Sequence, residues 1–184
     1  MKKIIIPLSD IAIASPGVPV YLISTVSKSG IRNIAPYGMV MPASYNPLTY
    51  VVGSDKDRDT YRNIVETGEF VLNVASTSML EKVNLTGIKF PAEIDEFEKA
   101  ELTPIPASQV KPPLIAECRS HLECKVLNIY EITGTRVIII GEVVAVSIDQ
   151  DLFLKNFAKQ KGQLDPLFYV QGTYFGLGRY VGKR

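Results

Sequence analysis

Asp55-Lys-Asp-Arg-Asp-Thr-Tyr-Arg-Asn63 is a stretch in which acidic and basic residues alternate before a hydroxyl and an amide side chain. It follows a predicted strand, and its last five residues begin a predicted helix that spans Asp59 to Thr67. Asp57 or Asp59 is expected to cap that helix, because an aspartate oxygen can accept from the first N–H groups, and Gly68 is a typical helix stop. The stretch thus predicts a short helix that begins in a run of alternating charges.

The first turn of this predicted helix is suited to an anion. The free N–H groups and the dipole of a helix start attract phosphate, and cationic, hydroxyl and amide side chains add further donors. The side chains available for this are those of Lys56, Arg58, Thr60 and Asn63. We therefore predict an anion site here; a solvated, well-capped surface helix is the alternative interpretation.

The composition indicates one ordinary globular domain over residues 1–184, since 46% of the residues are hydrophobic and 21% are charged. Lys and Arg number 20 against 19 Asp and Glu, so no net field attracts nucleic acid or an anionic membrane. Pro7 and Asp10 interrupt the first apolar run before it could act as a signal peptide, and no run approaches the ~20 residues of a membrane helix. We expect a soluble, cytoplasmic protein that binds neither nucleic acid nor membrane.

The two cysteines and the single histidine limit the side-chain chemistry. On one continuous strand Cys118 and Cys124 would lie roughly 20 Å apart, beyond disulfide reach, so reduced thiols are expected. Their spacing also differs from zinc and redox motifs. Because every nucleophilic triad would need His121, we expect neither a protein-ligated metal nor nucleophilic catalysis, and we place His121 at the surface end of a strand.

Strand and turn patterns predominate in the rest of the chain. A hairpin is predicted from residues 18–26 and 31–34, and further strands at residues 48–54, 69–74, 122–126, 136–148 and near Tyr174. Gly141 marks a bulge in the longest of these strands. Short helices are predicted from Ser78, which has capping-box spacing with Glu81, to Gly87, and over residues 151–159. Without a repeated βαβ unit, the predicted fold class is mainly β, an antiparallel barrel with a few short helices.

Two segments interrupt this pattern. Residues 35–44 are apolar but contain Pro36, Gly38 and Pro42, so they cannot pair fully as a central strand and some of their N–H groups should be free. An edge strand packed on the core is the alternative interpretation. Residues 90–113 contain five prolines around an acidic patch, which is typical of a long excursion with a short helix. Such an excursion covers a site or a subunit contact, or is merely decorative.

A series of motifs in these segments resembles the flavin reductase-like family. The matching stretches are Asn33-Ile-Ala-Pro-Tyr-Gly-Met-Val40, Asn46-Pro47, Arg58-Asp-Thr-Tyr-Arg-Asn-Ile64, Gly68-Glu-Phe-Val-Leu-Asn-Val74, Asp95-Glu-Phe97, Leu122-Glu-Cys-Lys125, Ile140-Gly-Glu-Val143, Tyr174 and Leu177-Gly178. The series covers residues 18–178. The resemblance implies an FMN-binding split β-barrel of antiparallel, Greek-key topology, normally a homodimer, that passes electrons to or from its flavin.

The resemblance also implies which residues contact the cofactor. The isoalloxazine is expected along Pro36, Tyr37, Gly38, Met39 and Val40, with Ala43 and Ser44 near its rim. The phosphate is expected at Ser54, Lys56, Arg58, Thr60 and Asn63. An apolar segment with free backbone polar groups suits a flat aromatic cofactor. Gly38 departs from the Ser that relatives often carry, so a side-chain hydrogen bond near the flavin should be missing.

The expected function is that of a flavin-dependent oxidoreductase in which the flavin transfers the electrons and no side chain acts as acid or base. No G-x-G-x-x-G follows a predicted strand, so NADH or NADPH is expected to bind transiently at the exposed flavin face. The resemblance favours NAD(P)H-dependent flavin reduction. The alternatives are a ferric-chelate reductase and a flavoredoxin-like electron carrier, so the partner is a small-molecule electron acceptor or a redox protein.

A homodimer is expected because a flavin laid against outer strands leaves an apolar face open. Tyr37, Met39, Met41 and Tyr45 are candidates for the patch that a second subunit covers. The alternative is that all four pack within one chain. In the dimer, the excursion of residues 90–113 is expected to reach the partner's flavin.

Overall fold

The structure is a computed structural model that describes residues 3–153, 162–178 and 181. The strands in these residues are β1 (Val18–Pro19), β2 (Tyr21–Val26), β3 (Arg32–Tyr37), β4 (Val40–Tyr45), β5 (Leu48–Asp55), β6 (Glu69–Val74), β7 (Pro104–Ile105), β8 (Leu114–Ile115), β9 (Ser120–Glu131), β10 (Arg136–Ile148), β11 (Phe168–Val170) and β12 (Thr173–Phe175). The α-helices are α1 (Ile11–Ala14), α2 (Asp59–Thr67), α3 (Leu80–Thr86) and α4 (Glu96–Lys99). The expectation of a mainly β chain with a few short helices is confirmed.

A seven-stranded antiparallel sheet forms the body of the protein, in the order β3-β2-β6-β9-β10-β5-β4. Its two edge strands, β3 and β4, are joined by only Gly38 and Met39, so the sheet must curl until its edges meet at this corner. There Gly53 N–H donates to the Met39 carbonyl at 2.8 Å. Within the described residues no ladder pairs β3 with β4. Residues 35–44 therefore form the two edges at which the barrel closes.

Apolar side chains cover both faces of this sheet. Ile23, Phe70 and Ile139 belong to a cluster that includes residues of β2, β5, β6, β9 and β10. Leu22 and Ile34 belong to a second cluster, together with residues of α3, α4 and β8. Successive residues of a strand point to opposite faces, so the neighbours Leu22 and Ile23 of β2 pack into different clusters.

The predicted bulge in β10 lies at Val144 and not at Gly141. The register between β9 and β10 does shift beside Gly141, but the extra residue there is Leu127 of β9, whereas the shift between Val143 and Ala145 leaves Val144 of β10 unpaired. A Cβ on Gly141 would lie 2.5 Å from Cζ of Phe70, so the buried Phe70 ring occupies the space that any other residue would need. The glycine thus lets the largest core side chain of β6 pack against β10.

The helix α2 has the predicted bounds but not the predicted cap. Gly68 ends it in the left-handed region at φ 71°. Its N-cap is Arg58, and no side chain caps it. Asp59 is already helical and its carboxylate pairs with Arg62, so the prediction of an aspartate cap at Asp57 or Asp59 is wrong.

The helix α3 likewise lacks its predicted capping box. A 3₁₀ turn over Thr77–Met79 precedes it, and the Ser78 and Ser76 hydroxyl oxygens lie 2.9 Å apart. Met79 is the N-cap, without a side-chain hydrogen bond, and Gly87 follows the helix as predicted. Of the helix predicted over residues 151–159, most lies outside the described residues. The last strand near Tyr174 is confirmed as β12.

The excursion of residues 90–113 is part of the folded core. It contains α4, whose N-cap Asp95 accepts from Phe97 N–H at 2.9 Å, and β7, which pairs with β8. Phe97 and Leu102 are buried. The excursion is also held by Glu123 of β9, which accepts from Ser108 N–H at 3.0 Å and from Gln109 N–H at 2.6 Å. A merely decorative loop is therefore excluded.

The expectation of a surface position for His121 is wrong. The residue is 6% exposed, and its Nδ1 lies 2.8 Å from Oδ1 of Asn73. Burial lowers the pKa of the imidazole, so the ring is neutral at physiological pH. Cys118 and Cys124 are free and buried, although Cys118 precedes β9. None of the described helices is both long and apolar enough to cross a membrane.

Candidate functional site

A cleft of about 380 Å³, called here the first cleft, lies at the corner where the barrel closes. Three stretches form it: the end of β3 with its turn, the end of β5 with the start of α2, and residues 86–90 after α3. Its volume lies within the range of small-molecule sites. The closure of the barrel thus places the predicted apolar segment beside the predicted anion site.

One wall of the first cleft is apolar and closely packed. It includes Pro36, Tyr37, Gly38 and Met39. A Cβ on Gly38 would lie 2.8 Å from Cγ2 of Val18. Gly38 therefore leaves room for Val18 of β1, which gives a packing reason for glycine at the position where the family resemblance leads us to expect Ser.

Tyr37 places a polar atom in this apolar wall. Its hydroxyl oxygen lies 2.8 Å from Oγ of Ser54, across the closure of the barrel. Burial raises the pKa of the Tyr37 phenol, and this outweighs the opposite effects of Ser54, Thr60 and Arg58. Tyr37 is therefore a neutral phenol that links the ends of β3 and β5.

The opposite side of the first cleft carries charges. Arg58 lies there at the N-cap of α2, next to Thr60 in the first turn, and it makes no ion pair within the described part of the chain. Arg136, by contrast, is held 3.1 Å from the carboxylate of Asp55. Since the first N–H groups of a helix have no intrahelical partner, Arg58 and the start of α2 together offer donors to an anion.

The first cleft brings together seven of the twelve predicted contact residues: Pro36, Tyr37, Gly38, Met39, Ser54, Arg58 and Thr60.

The other five predicted residues lie outside the first cleft. Val40 is buried in the barrel core, and Ala43 and Ser44 lie on the edge strand β4. The Lys56 ammonium pairs with Glu131. Asn63 is buried and donates to Oγ1 of Thr25 at 3.0 Å.

Several lining residues were not predicted as contacts. Asn33 and Glu96 are two of them, and both stand inside motifs of the family series, so a signal for them was present. Lys89, Phe90 and Tyr169 also line the first cleft. They come from distant parts of the chain, and nothing in the local sequence indicates that α3 and β11 end beside β3.

Glu96 is the buried acid of the site. It is 8% exposed, and its Oε2 accepts from Ile34 N–H at 2.7 Å and from the Asn33 amide. Burial raises the pKa of Glu96 to about 7; the two hydrogen bonds oppose this, and the carboxylates of Asp59 and Asp95 add to it. Glu96 therefore changes charge near neutral pH.

A second cleft of about 460 Å³ adjoins the first. It lies between the turn of residues 27–29, the exposed side of α2 and residues 91–94. Asn33, Asp59 and Glu96 line both clefts. These three residues therefore form the wall between the two clefts.

Comparison with known proteins places this site in a family. Residues 15–178 match the family described as flavin reductase like domain. A protein of Methanothermobacter thermautotrophicus is 44% identical over 139 residues, which are 73% of this chain and 65% of that protein. The chain thus spans slightly under two thirds of that relative's length.

Solved structures share the fold over nearly the whole chain. Nitrilotriacetate monooxygenase component B from Bacillus cereus has a TM-score of 0.90 at 25% identity, with full coverage of both chains. Flavoredoxin from Methanosarcina acetivorans has a TM-score of 0.85 at 26% identity, covering 100% of this chain and 95% of its own. A Shewanella frigidimarina structure described as having a split barrel domain has a TM-score of 0.85 at 20% identity, with 98% and 93% coverage. The split-barrel prediction is confirmed, and the chain belongs to the flavin reductase like domain family, a family of flavin oxidoreductases.

Proposed function

We propose that this protein binds FMN non-covalently in the first cleft and functions in the cytoplasm as an NAD(P)H-dependent flavin reductase. The observation that carries the proposal is the adjacency of two surfaces. An apolar wall at Pro36 to Met39 lies beside the start of α2, where Arg58 has no ion-pair partner among the described residues. FMN combines a flat aromatic ring with a phosphate and so matches both surfaces.

The residues of the first cleft fit this cofactor by their chemistry. Pro36 and Met39 offer apolar surface to the ring. The Tyr37 phenol in the same wall is neutral, so it adds no charge beside the ring. Arg58 and Thr60, with the first N–H groups of α2, would hold the phosphate, which carries about −1.5 to −2 charges near neutral pH. Bound FMN would supply the electron-transfer chemistry.

The protein's own role is then to bind and orient the flavin. Glu96, Asn33 and Thr60 line the first cleft and are joined by hydrogen bonds. Lys89, Phe90 and Tyr169 contribute further to the lining. NADH or NADPH would bind transiently on the flavin face that this lining leaves open, and a small-molecule acceptor or a redox protein would then take the electrons.

A second candidate function is that of an electron carrier. The likeness to a flavoredoxin at 26% identity over the full chain favours it. Such a carrier would keep FMN bound and receive electrons from a protein donor, so the two functions share the first cleft and differ in the reductant.

Anaerobic stopped-flow spectroscopy separates the two functions. FMN-loaded protein is mixed with NADH or NADPH, and the flavin absorbance is followed. Rapid bleaching, followed by turnover with added flavin, is the expected result. Absence of bleaching by either nucleotide, together with reduction by a redox protein, would reject the reductase and favour the carrier.

We further propose a homodimer in which β4 lies at the subunit contact. Met39, Met41 and Tyr45 are 57%, 61% and 84% exposed, which is unusual for adjacent large apolar side chains. Tyr37, the fourth residue predicted for this patch, packs against the barrel core of its own chain. A second copy is a suitable cover because the outer edge of β4 pairs with no strand in the described structure.

A further inference from the structure

The wall between the two clefts contains an acid that the proposed flavin chemistry does not use. Glu96 is 8% exposed at the start of α4, and its Oε2 accepts two hydrogen bonds, from Ile34 N–H and from the Asn33 amide. Carboxyl groups are seldom buried without a cationic partner. Within the described residues Glu96 makes no ion pair. Its carboxyl is therefore a site at which a proton can be held.

A short chain of hydrogen bonds connects this carboxyl to the start of α2. The Asn33 amide donates to Glu96, and its Oδ1 accepts from Oγ1 of Thr60 at 3.2 Å. Thr60 lies in the first turn of α2, two residues after Arg58. An anion at this helix start would thus be separated from Glu96 by only two hydrogen-bonded side chains. Two negative charges separated by so short a chain of side chains repel each other.

We propose that binding of an anion at the start of α2 is coupled to the uptake of one proton by Glu96. The charge of Glu96 then determines whether the first cleft accepts a negatively charged ligand. The inference rests on the proposed function, because the anion is the flavin phosphate. The neutral acid admits a phosphate-bearing flavin, whereas the ionised carboxylate opposes it. Riboflavin, which has no phosphate, should be nearly indifferent to the charge of Glu96.

The charged groups around Glu96 are of both signs, and the carboxylates of Asp59 and Asp95 favour its neutral form. On its own helix, Asp95 at the N-cap pairs with Arg32 of β3, and Glu98 and Lys99 follow. On α2, Asp59 pairs with Arg62. The other charged residues that line the first cleft are Asp55, Asp57, Arg58, Lys89 and Arg136. Those that line the second cleft are Lys28, Glu66 and Glu93.

The direction of the pH effect follows from the burial of Glu96. Because burial raises its pKa to about 7, the group is mostly neutral below that pH and ionised above it. Bound phosphate stabilises the neutral form and raises the pKa further. The affinity for FMN should therefore fall as the pH rises above about 7, by up to about tenfold per pH unit, the limit for one linked proton.

The Kd of FMN is measured from about pH 6 to about pH 8.5 for the wild type, Glu96→Gln and Glu98→Gln, with riboflavin as the second ligand. Glu96→Gln keeps an oxygen for Ile34 N–H and Asn33 but cannot ionise. Its FMN affinity should lose most of the pH dependence. Glu98→Gln is the matched control, because its side chain is 79% exposed on the same helix; it should keep the wild-type profile.

Calorimetry of the unmodified protein provides a test that does not depend on a variant. FMN is titrated at about pH 8, where the free phosphate is already a dianion, in two buffers of different ionisation enthalpy. Net proton uptake on binding FMN, with one proton per FMN as the limit, and near zero for riboflavin, is expected. Wild-type FMN binding without proton uptake, or with the same pH profile in Glu96→Gln, would overturn the role of Glu96 and leave FMN binding intact. Failure to bind FMN at any pH would overturn the proposed function and this inference together.

Discussion

At the scale of single residues, Gly38 illustrates how a local departure from a family pattern follows from packing. The absence of a side chain at this position accommodates Val18, whose Cγ2 would lie 2.8 Å from an added Cβ. Nothing in the sequence around Gly38 indicates this contact, because Val18 arrives from a separate small sheet. The motif could be recognised from the sequence, but the reason for its departure could not.

A serine at position 38 should therefore destabilise this protein. Gly38→Ser is expected to lower the free energy of unfolding by about 1–3 kcal/mol, since the new Cβ overpacks the site. Urea unfolding measures the change. In the Val18→Ala background, Gly38→Ser should lower the free energy of unfolding much less than it does in the wild type. Additive losses in the double variant would show that the contact with Val18 is not the cause.

At the scale of elements, α2 was predictable and its surroundings were not. Its bounds follow from the local pattern that ends at Gly68, whereas its first turn is organised by contacts that the pattern does not show: Asp59 pairs with Arg62 three residues on in the same helix and does not act as a cap, and Thr60 donates to Asn33 of β3. His121 was misplaced for a similar reason, because alternation along β9 does not reveal that both faces of the sheet are covered. Five of the twelve predicted contact residues fall outside the first cleft. Val40, Ala43 and Ser44 belong to β4, Lys56 pairs with Glu131, and Asn63 bonds to Thr25.

The excursion of residues 90–113 depends on an ionised carboxylate. Burial alone would raise the pKa of Glu123, but hydrogen bonds from the N–H groups of Ser108 and Gln109 and from the Ser108 hydroxyl lower it below its ordinary value. A depressed pKa in the folded state means that the stabilisation is present above the unfolded pKa of about 4.3 and is lost as the pH falls through the lower, folded value.

Glu123→Gln should consequently destabilise the protein at neutral pH by about 2 kcal/mol, because charge-assisted hydrogen bonds are replaced by weaker ones. The difference from the wild type should shrink as the pH falls below about 4. Urea midpoints at both pH values test this, with the exposed Glu81→Gln as the matched control. A difference that stays constant with pH would show that the charge of Glu123 does not hold the excursion.

At the scale of the whole molecule, the exposed apolar side chains of β4 and its preceding turn predict association. Light scattering of the FMN-loaded protein should give a mass about twice the 20.3 kDa of one chain. Met41→Glu places a charge in the proposed contact without altering a residue of the first cleft, and it should shift the mass towards that of the monomer. A wild-type monomer at micromolar concentration would contradict the homodimer.

A comparison of FMN with riboflavin tests the phosphate site at the start of α2 most directly, because the two ligands share the ring and differ in the phosphate. Arg58→Ala should raise the Kd of FMN by about 10- to 100-fold, as expected for a lost charge-assisted hydrogen bond, and should change the Kd of riboflavin by less than about twofold. Lys56→Ala is the matched control, since the Lys56 ammonium pairs with Glu131 outside the first cleft; it should leave both affinities unchanged. Fluorescence titration measures all six constants, and equal losses of FMN and riboflavin affinity in Arg58→Ala would contradict a phosphate site at the start of α2.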